Sequence, residues 1–192
     1  MINWIETYTG KKIDPFHLEV ADVDIRDVVH GLSLNCRFHN QCECFYSSAQ
    51  HAVVVEEIIG ILGKGMDTEQ LQLTALTGLL HDASDYLLPD MSRVIKEQLP
   101  GFIELEKVIQ GTILKAFGIS GGEWSTVHIA DKIAALSEAK ILMISEGRGY
   151  YQEEQGFAAM SGLDSLQGIW SPYMAKEILT IHITEYRSDL FK

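Results

Sequence analysis

A histidine and an aspartate, His81 and Asp82, stand side by side in this chain immediately after an apolar run. Titratable side chains are seldom buried unless they are paired or bind a metal. With His51 upstream and Asp131 downstream, the pair makes a set of two imidazoles and two carboxylates. Such a set suits one divalent transition metal (zinc, cobalt, manganese or iron), and its formal charge cancels that of a dication. An ion held there keeps positions open for water and a phosphate oxygen, as a metal-dependent hydrolase requires.

The four candidate ligands lie in three separate predicted helices, so only helix packing can bring them together. Adjacent residues on a helix project about 100° apart, so His81 and Asp82 can share one ion only near a helix end or a bend. Asp131 shares a helical face with Glu138, which places Glu138 within reach of the predicted ion's ligands. We expect the other histidines to be structural or exposed, and His128 is the one nearest in sequence to a predicted ligand.

Apolar residues recur at helical spacing along most of the chain. Ser47 or Ser48, Thr68 and Ser171 are the expected N-caps of three of these helices. A small hairpin around Gly10 is the only strand structure that the sequence suggests. We therefore predict an all-α fold and a single domain over residues 1–192. The predicted helices span residues 25–34, 47 or 48 to about 63, 68 to about 82, 91–98, 102–117, 123–144 and 172–187.

The composition excludes some partners. The chain has 192 residues and a formal net charge of −12, which argues against broad binding to nucleic acid polymers or to an anionic membrane surface. No apolar run approaches the roughly 20 residues that span a bilayer, and no secretory signal is apparent at the N-terminus. We therefore expect a cytoplasmic protein. Its three cysteines, Cys36, Cys42 and Cys44, are expected to be reduced thiols, with a soft-metal site at Cys42-x-Cys44 as the alternative.

The order His51…His81-Asp82…Asp131 resembles the H…HD…D pattern of the HD-domain metal-dependent phosphohydrolases. The resemblance covers most of the chain and is closest to the small branch of YfbR-like 5′-deoxynucleotidases and phage DatZ-like dATP triphosphohydrolases. The neighbouring segments that carry it are Cys36-Arg37-Phe38, Tyr46-Ser47-Ser48-Ala49-Gln50-His51, His81-Asp82-Ala83-Ser84-Asp85 with Asp90 and Lys96 beyond it, and Ala130-Asp131-Lys132.

The resemblance implies a helical HD-domain fold and assigns roles around the ion. Arg37 would clamp a phosphate, with Lys96 as a second phosphate contact. Phe38 would lie against the base or sugar, and Asp90 would face the sugar hydroxyl. Asp85 stands where the family usually has a glutamate that positions or activates the water. The implied metal ligands are His51, His81, Asp82 and Asp131.

The resemblance leads to one main functional hypothesis and leaves alternatives open. The main one is a phosphohydrolase that acts on a small-molecule deoxynucleotide. It would convert either a dNMP to nucleoside and phosphate, or a dNTP, dATP in particular, to deoxynucleoside and triphosphate. A catalytically silent HD-like module that binds a nucleotide or a partner protein is the alternative, supported by the change from glutamate to Asp85. A purely structural helical protein is a third. By analogy with the family we expect a homo-oligomer.

Overall fold

The computed structural model describes residues 3–148 and 156–192. Residues 1–2 and 149–155 of the predicted domain lie outside the described residues. In the described ranges the chain forms seven α-helices, one two-stranded sheet and several short 3-10 helices, which confirms the all-α prediction. The elements are β1 (Ile5–Glu6), β2 (Lys12–Ile13), α1 (Ile25–Leu34), α2 (Ser48–Leu62), α3 (Thr68–Leu79), α4 (Arg93–Lys96), α5 (Pro100–Ala116), α6 (Trp124–Leu142) and α7 (Pro172–Arg187). Within the described ranges no helix combines the length and the apolar composition that crossing a bilayer requires.

The predicted hairpin around Gly10 is confirmed, because β1 and β2 pair antiparallel on either side of it. Gly10 has a φ of +83°, a left-handed conformation that glycine adopts without steric cost. The hairpin is tied to α1 through Thr9, whose backbone N–H and hydroxyl donate to the buried carboxylate of Asp27 at 2.7 and 2.9 Å. The small sheet thus packs beside the helices and lies apart from the predicted ligands.

Helix α2 is the central element, because its side chains are buried on almost every face. It packs against α1, α3, α6 and α7. One side contributes Ala52 and Val53 to a core shared with α1, α3, α5 and α7. The other side contributes Val54 and Ile58 to a second core shared with α6. Full burial of such aliphatic side chains stabilises the fold by about 1.5–3 kcal/mol each, so α2 is held firmly between the two cores.

Two helix starts differ from the sequence prediction. The cap of α3 is Asp67 rather than Thr68, and its carboxylate accepts the N–H of Gln70 at 2.8 Å. A carboxylate is at least as good a cap as a hydroxyl, and Thr68 is free to become the first helical residue. Helix α5 begins at Pro100, not at residue 102, because proline suits the first helical position, where its missing N–H costs nothing. The preceding α4 is correspondingly shorter than the predicted 91–98.

Helix α1 approaches the polypeptide after α3 very closely. A Cβ atom on Gly31 would lie 2.6 Å from Cβ of Tyr86 and 2.8 Å from its Cα. Only glycine permits this approach of α1 to the 3-10 helix Ala83–Tyr86, which carries Asp85. This contact positions one of the predicted site residues.

Candidate metal centre

Three elements bring the predicted ligands to one place. His51 lies in the first turn of α2, which begins after Ser47 accepts the N–H of Gln50 at 3.1 Å. Helix α3 ends at Leu79, so His81 and Asp82 occupy a turn before the next 3-10 helix. Asp131 lies on α6. The adjacent pair therefore sits at a helix end, the position that allows both side chains to face one point.

The donor atoms of these residues converge. One donor atom each from His51, His81 and Asp131 lies within 4.8 Å of the other two, so this group could hold a metal ion. Asp131 Oδ1 is 3.1 Å from His51 Nε2 and 3.7 Å from His81 Nε2. Asp82 Oδ2 is 3.2 Å from His81 Nε2 and 3.9 Å from His51 Nε2. Donors bound at about 2.0–2.2 Å from one ion lie about 3–3.5 Å apart, so these spacings need little adjustment.

Hydrogen bonds at the opposite ring nitrogens fix the tautomers of both histidines. His51 Nδ1 lies 2.7 Å from Glu138 Oε1, and His81 Nδ1 lies 2.7 Å from the carbonyl oxygen of Gly78. Both partners are acceptors, so each Nδ1 donates and each neutral ring keeps a lone pair on Nε2. Both Nε2 atoms are buried and have no hydrogen-bond partner within the described residues. An unsatisfied buried nitrogen costs about 1–3 kcal/mol, and a metal ion would satisfy both. The residues present therefore fit a metal ion.

Glu138 connects the histidine to two further side chains. It is fully buried, and its Oε1 also accepts the hydroxyl of Tyr46 at 2.9 Å. Its Oε2 lies 3.5 Å from Nε of Arg37, whose Nη1 is 3.3 Å from Asp82 Oδ2. Burial raises the pKa of Glu138, but His51 and Arg37 outweigh burial, so the net pKa lies below the ordinary value. The carboxylate stays ionised and braces both a candidate ligand and the guanidinium.

The carboxylates at the centre make positive charge favourable there. Burial lowers the pKa of His81, but the carboxylates of Asp82 and Asp131 outweigh it and hold that pKa well above its ordinary value. Burial likewise raises the pKa of Asp131, and the two histidines outweigh it, so that pKa lies well below its ordinary value. The two carboxylates thus favour positive charge beside the imidazoles, which is the charge that a bound cation would supply.

The centre is open on its acidic side. The side chain of His51 is 0% exposed, whereas those of Asp82 and Asp131 are 40% and 35% exposed. The imidazoles form the floor and the carboxylates form the rim. Water and a small anionic group can therefore approach a bound ion from the rim, where Arg37 also lies.

Asp85 lies beside this centre in a buried pocket of hydrogen-bond donors. Its Oδ2 is 3.3 Å from Asn35 Nδ2 and 3.4 Å from Ser48 Oγ. Burial raises the pKa of Asp85, and the charges of Asp82 and Asp90 raise it further, to well above the ordinary value. The side chain is thus able to carry a proton.

The remaining predicted residues make contacts with residues outside the ligand set. Phe38 is buried and packs with Tyr46 in a small apolar cluster. Asp90 lies within 3.5 Å of the backbone N–H of His39. Lys96 forms an ion pair with Glu106 of α5. The excluded histidine His128 is exposed on α6, where its ring lies 5.7 Å from that of Trp124.

Two bacterial proteins resemble the chain over most of its length. The uncharacterized protein YfdR of Escherichia coli is 28% identical over 146 residues, which cover 76% of each chain. The uncharacterized protein RCAP_rcc00048 of Rhodobacter capsulatus is 31% identical over 141 residues, 72% of this chain and 70% of its own length. The chain belongs to the RCAP_rcc00048 family. No family model matches the chain, and the names of these two proteins state no activity, so function has to be argued from the site.

Most of the contacts around this centre could not be predicted from the sequence. The sequence predicted that Glu138 reaches the ligands, but not its contacts with Tyr46 and Arg37. The available signal was the spacing of Asp131 and Glu138, two helical turns apart on one face of α6. The donors from Asn35 and Ser48 to Asp85 left no comparable pattern, because they come from separate elements.

Proposed function

We propose that this chain is a divalent-metal-dependent phosphohydrolase of the HD-domain type that acts on deoxynucleotides. The observation that carries the proposal is the pair of buried Nε2 atoms of His51 and His81, which have no hydrogen-bond partner among the described residues and lie near Asp131 and the largely buried guanidinium of Arg37. Two imidazoles and two carboxylates favour zinc, cobalt, manganese or iron over the harder cations, which prefer oxygen ligands alone. The resemblance of the ligand order to HD-domain enzymes supports the same assignment.

The residues around the centre divide the work of phosphoester hydrolysis. An ion held by His51, His81, Asp82 and Asp131 would supply a Lewis acid that acidifies water and polarises a phosphoryl oxygen. Arg37 presents a planar, permanently charged fork beside the acidic rim, suited to two phosphate oxygens. Asp85 would accept the proton of the attacking water and return one to the leaving group.

We infer that the substrate is a deoxynucleotide with more than one phosphate. Arg37 and Lys96 come from different elements, and two separated cations suit a polyphosphate better than a single phosphate. On substrate binding, Lys96 would break its ion pair with Glu106 and contact a phosphate of the substrate instead. The net reaction joins a dNTP and water to give deoxynucleoside and triphosphate. The dNMP reaction, which gives nucleoside and phosphate, is the other reaction of this class.

The test combines metal content with a substrate panel. Purified protein is analysed for transition metals, reloaded with each of the four ions and assayed on all dNMPs and dNTPs. We expect about one ion per chain and product release from at least one dNTP. Asp131→Asn should lose both, whereas His128→Asn, on the same helix but outside the cluster, should keep both. A metal-loaded protein that hydrolyses nothing on the panel would overturn the proposal.

One observation favours the alternative of a catalytically silent module. Asp85 is buried and already engaged by Asn35 and Ser48, so a silent protein would hold it as a structural acid. That alternative predicts nucleotide binding without turnover and no gain from Asp85→Glu. The hydrolase predicts that Asp85→Asn lowers turnover by about 10²–10⁴-fold while nucleotide still binds.

Sedimentation of the same samples tests the proposed homo-oligomer.

A further inference from the structure

Two cysteine sulfurs meet at the base of the loop before α2. Cys36 Sγ and Cys42 Sγ lie 3.9 Å apart, and both residues are half-buried. Both thiols also approach one acceptor, the carbonyl oxygen of Arg37, at 3.7 and 3.6 Å. The third cysteine, Cys44, is exposed, and its carbonyl oxygen lies 2.9 Å from Cys42 Sγ. The sulfurs of Cys36 and Cys42 are therefore in contact, whereas Cys44 is exposed.

An unusual backbone curl brings the two thiols together. Three consecutive residues, Phe38, His39 and Asn40, have φ angles of 54°, 55° and 60°. Non-glycine residues adopt this left-handed region rarely and at a cost of about 1–2 kcal/mol each. The curl is closed by the N–H of Gln41, which donates to the carbonyl of Phe38 at 2.9 Å. The chain enters and leaves it on fixed supports, since Arg37 N–H donates to Tyr46 O at 2.8 Å and Glu43 N–H donates to Leu142 O at 2.9 Å.

We propose that Cys36 and Cys42 form a dithiol site that low-molecular-weight disulfides oxidise reversibly, and that the resulting bond restrains the loop carrying Arg37. One of the two thiols loses its proton to solvent, and its thiolate attacks one sulfur of the small disulfide and expels the first small thiolate. The other thiol then loses its proton to solvent, attacks the protein sulfur of the mixed disulfide and expels the second small thiolate, and both expelled thiolates take up protons. The two protein thiols are oxidised, and the small disulfide is reduced to two thiols.

The surroundings of Cys42 disfavour its thiolate. Burial, together with the adjacent Cys36, raises the pKa of Cys42 to about 11. A thiolate therefore forms less readily at Cys42 than at an ordinary exposed cysteine. Formation of the bond requires the two sulfurs to approach from 3.9 Å to about 2.05 Å. The thiol exchange itself requires neither a bound ion nor phosphate hydrolysis, so its test does not depend on the proposed function.

The positions of cleavage sites make the test direct. The full chain is equilibrated in glutathione buffers of stepped disulfide-to-thiol ratio, quenched with acid, alkylated and digested. Trypsin cuts after Arg37, so a Cys36–Cys42 bond joins the peptides 27–37 and 38–64. Cleavage after Glu43 separates Cys42 from Cys44 and identifies the partner of Cys36. We expect the joined peptides with Cys44 still alkylated, at a disulfide-to-dithiol ratio at least tenfold higher than in the urea-unfolded chain.

Variants and hydrogen exchange supply the controls. Cys44→Ser should leave the bond intact, and Cys36→Ser or, independently, Cys42→Ala should abolish it. Oxidation should slow exchange of the Asn40 and Gln41 amides at least tenfold, because the curl is locked. A Cys42–Cys44 bond, a glutathione adduct on Cys44 as the main product, or the same ratio in folded and unfolded chains would overturn the dithiol site. Unchanged exchange at the two amides would overturn the restraint.

Discussion

Glu138 supports two candidate functional groups through the two oxygens of one buried carboxylate. Oε1 holds Nδ1 of His51 at 2.7 Å, and Oε2 faces Nε of Arg37 at 3.5 Å. A carboxylate on the far nitrogen of a histidine ligand fixes its tautomer and increases the basicity of the metal-binding nitrogen. The orientation of the imidazole and of the guanidinium is therefore coupled through a single side chain.

This coupling predicts the effect of Glu138→Gln. The amide keeps the shape of the side chain but removes the charge, so His51 becomes a weaker ligand and Arg37 loses a counter-charge. We expect metal affinity to fall by about 10–100-fold, as measured by competition with a chromophoric chelator. Glu177→Gln, an exposed change on α7, is the control and should leave the affinity unchanged. Equal affinity in the wild type and Glu138→Gln would show that Glu138 serves packing alone.

How far single residues could be predicted depends on whether their partners are local. His81 and Asp82 are adjacent and interrupt an apolar run, so the sequence alone was enough to make them candidate ligands. Lys96 pairs with Glu106, a contact between two elements that neither helical period nor residue type reveals. The burial of Phe38 likewise depends on the left-handed curl of its loop. That curl could not be predicted from the sequence, because the three residues with positive φ are not glycines.

The start of α2 determines where His51 lies. Ser47 accepts the N–H of Gln50 through its hydroxyl, and its carbonyl oxygen accepts the N–H of His51 at 3.1 Å. Ser47→Ala should destabilise the fold by about 1 kcal/mol and weaken metal binding, because the first turn loosens. Ser171→Ala removes the equivalent cap of α7, where Ser171 accepts the N–H of Met174, far from the ligands in sequence. Urea unfolding should show a similar loss of unfolding free energy for both variants, whereas metal binding should weaken in Ser47→Ala alone. Weaker metal binding in both variants would refute a local effect of the α2 cap.

The elements themselves were largely predictable, because helical periodicity reports which face of a segment is apolar. The bounds of α1 and the ends of α2 and α7 agree with the spacing of apolar residues and with serine caps. The errors at Asp67 and Pro100 arose where neighbouring residues compete for one helix terminus. The spacing of apolar residues does not indicate which of two neighbouring residues begins a helix, because that depends on one capping hydrogen bond or on the missing N–H of a proline.

An ion pair between α7 and α2 predicts a pH dependence of stability. His182 Nδ1 lies 3.2 Å from Glu56 Oε2, and this hydrogen bond raises the pKa of His182 although burial opposes it. The folded-state pKa exceeds the unfolded value of about 6.5, so the stabilisation is complete below that value and is lost as pH rises through the folded-state pKa. The free energy of unfolding of the wild type should exceed that of His182→Gln by about 0.5–1 kcal/mol at about pH 5.5, and the two should be nearly equal at about pH 9. A difference independent of pH, or the same pH dependence in the control His128→Gln, would contradict the assignment.

A bound ion should stabilise the whole molecule, because the proposed centre joins α2, the end of α3 and α6, which otherwise meet through side-chain packing and hydrogen bonds such as that of His51 with Glu138. An ion at 100 times its dissociation constant stabilises the folded state by about 2.7 kcal/mol, or a Tm rise of about 5–10 °C at this size. A chain of net charge −12 also attracts cations nonspecifically, so the rise alone decides little. Calcium, which prefers oxygen ligands, should raise the Tm of the wild type only slightly. With the transition metal, Asp131→Asn should lose most of the rise in Tm, whereas His128→Asn should keep it. If calcium matched zinc, or if Asp131→Asn responded like the wild type, the ion would be acting on the acidic surface and the three elements would not be joined by it.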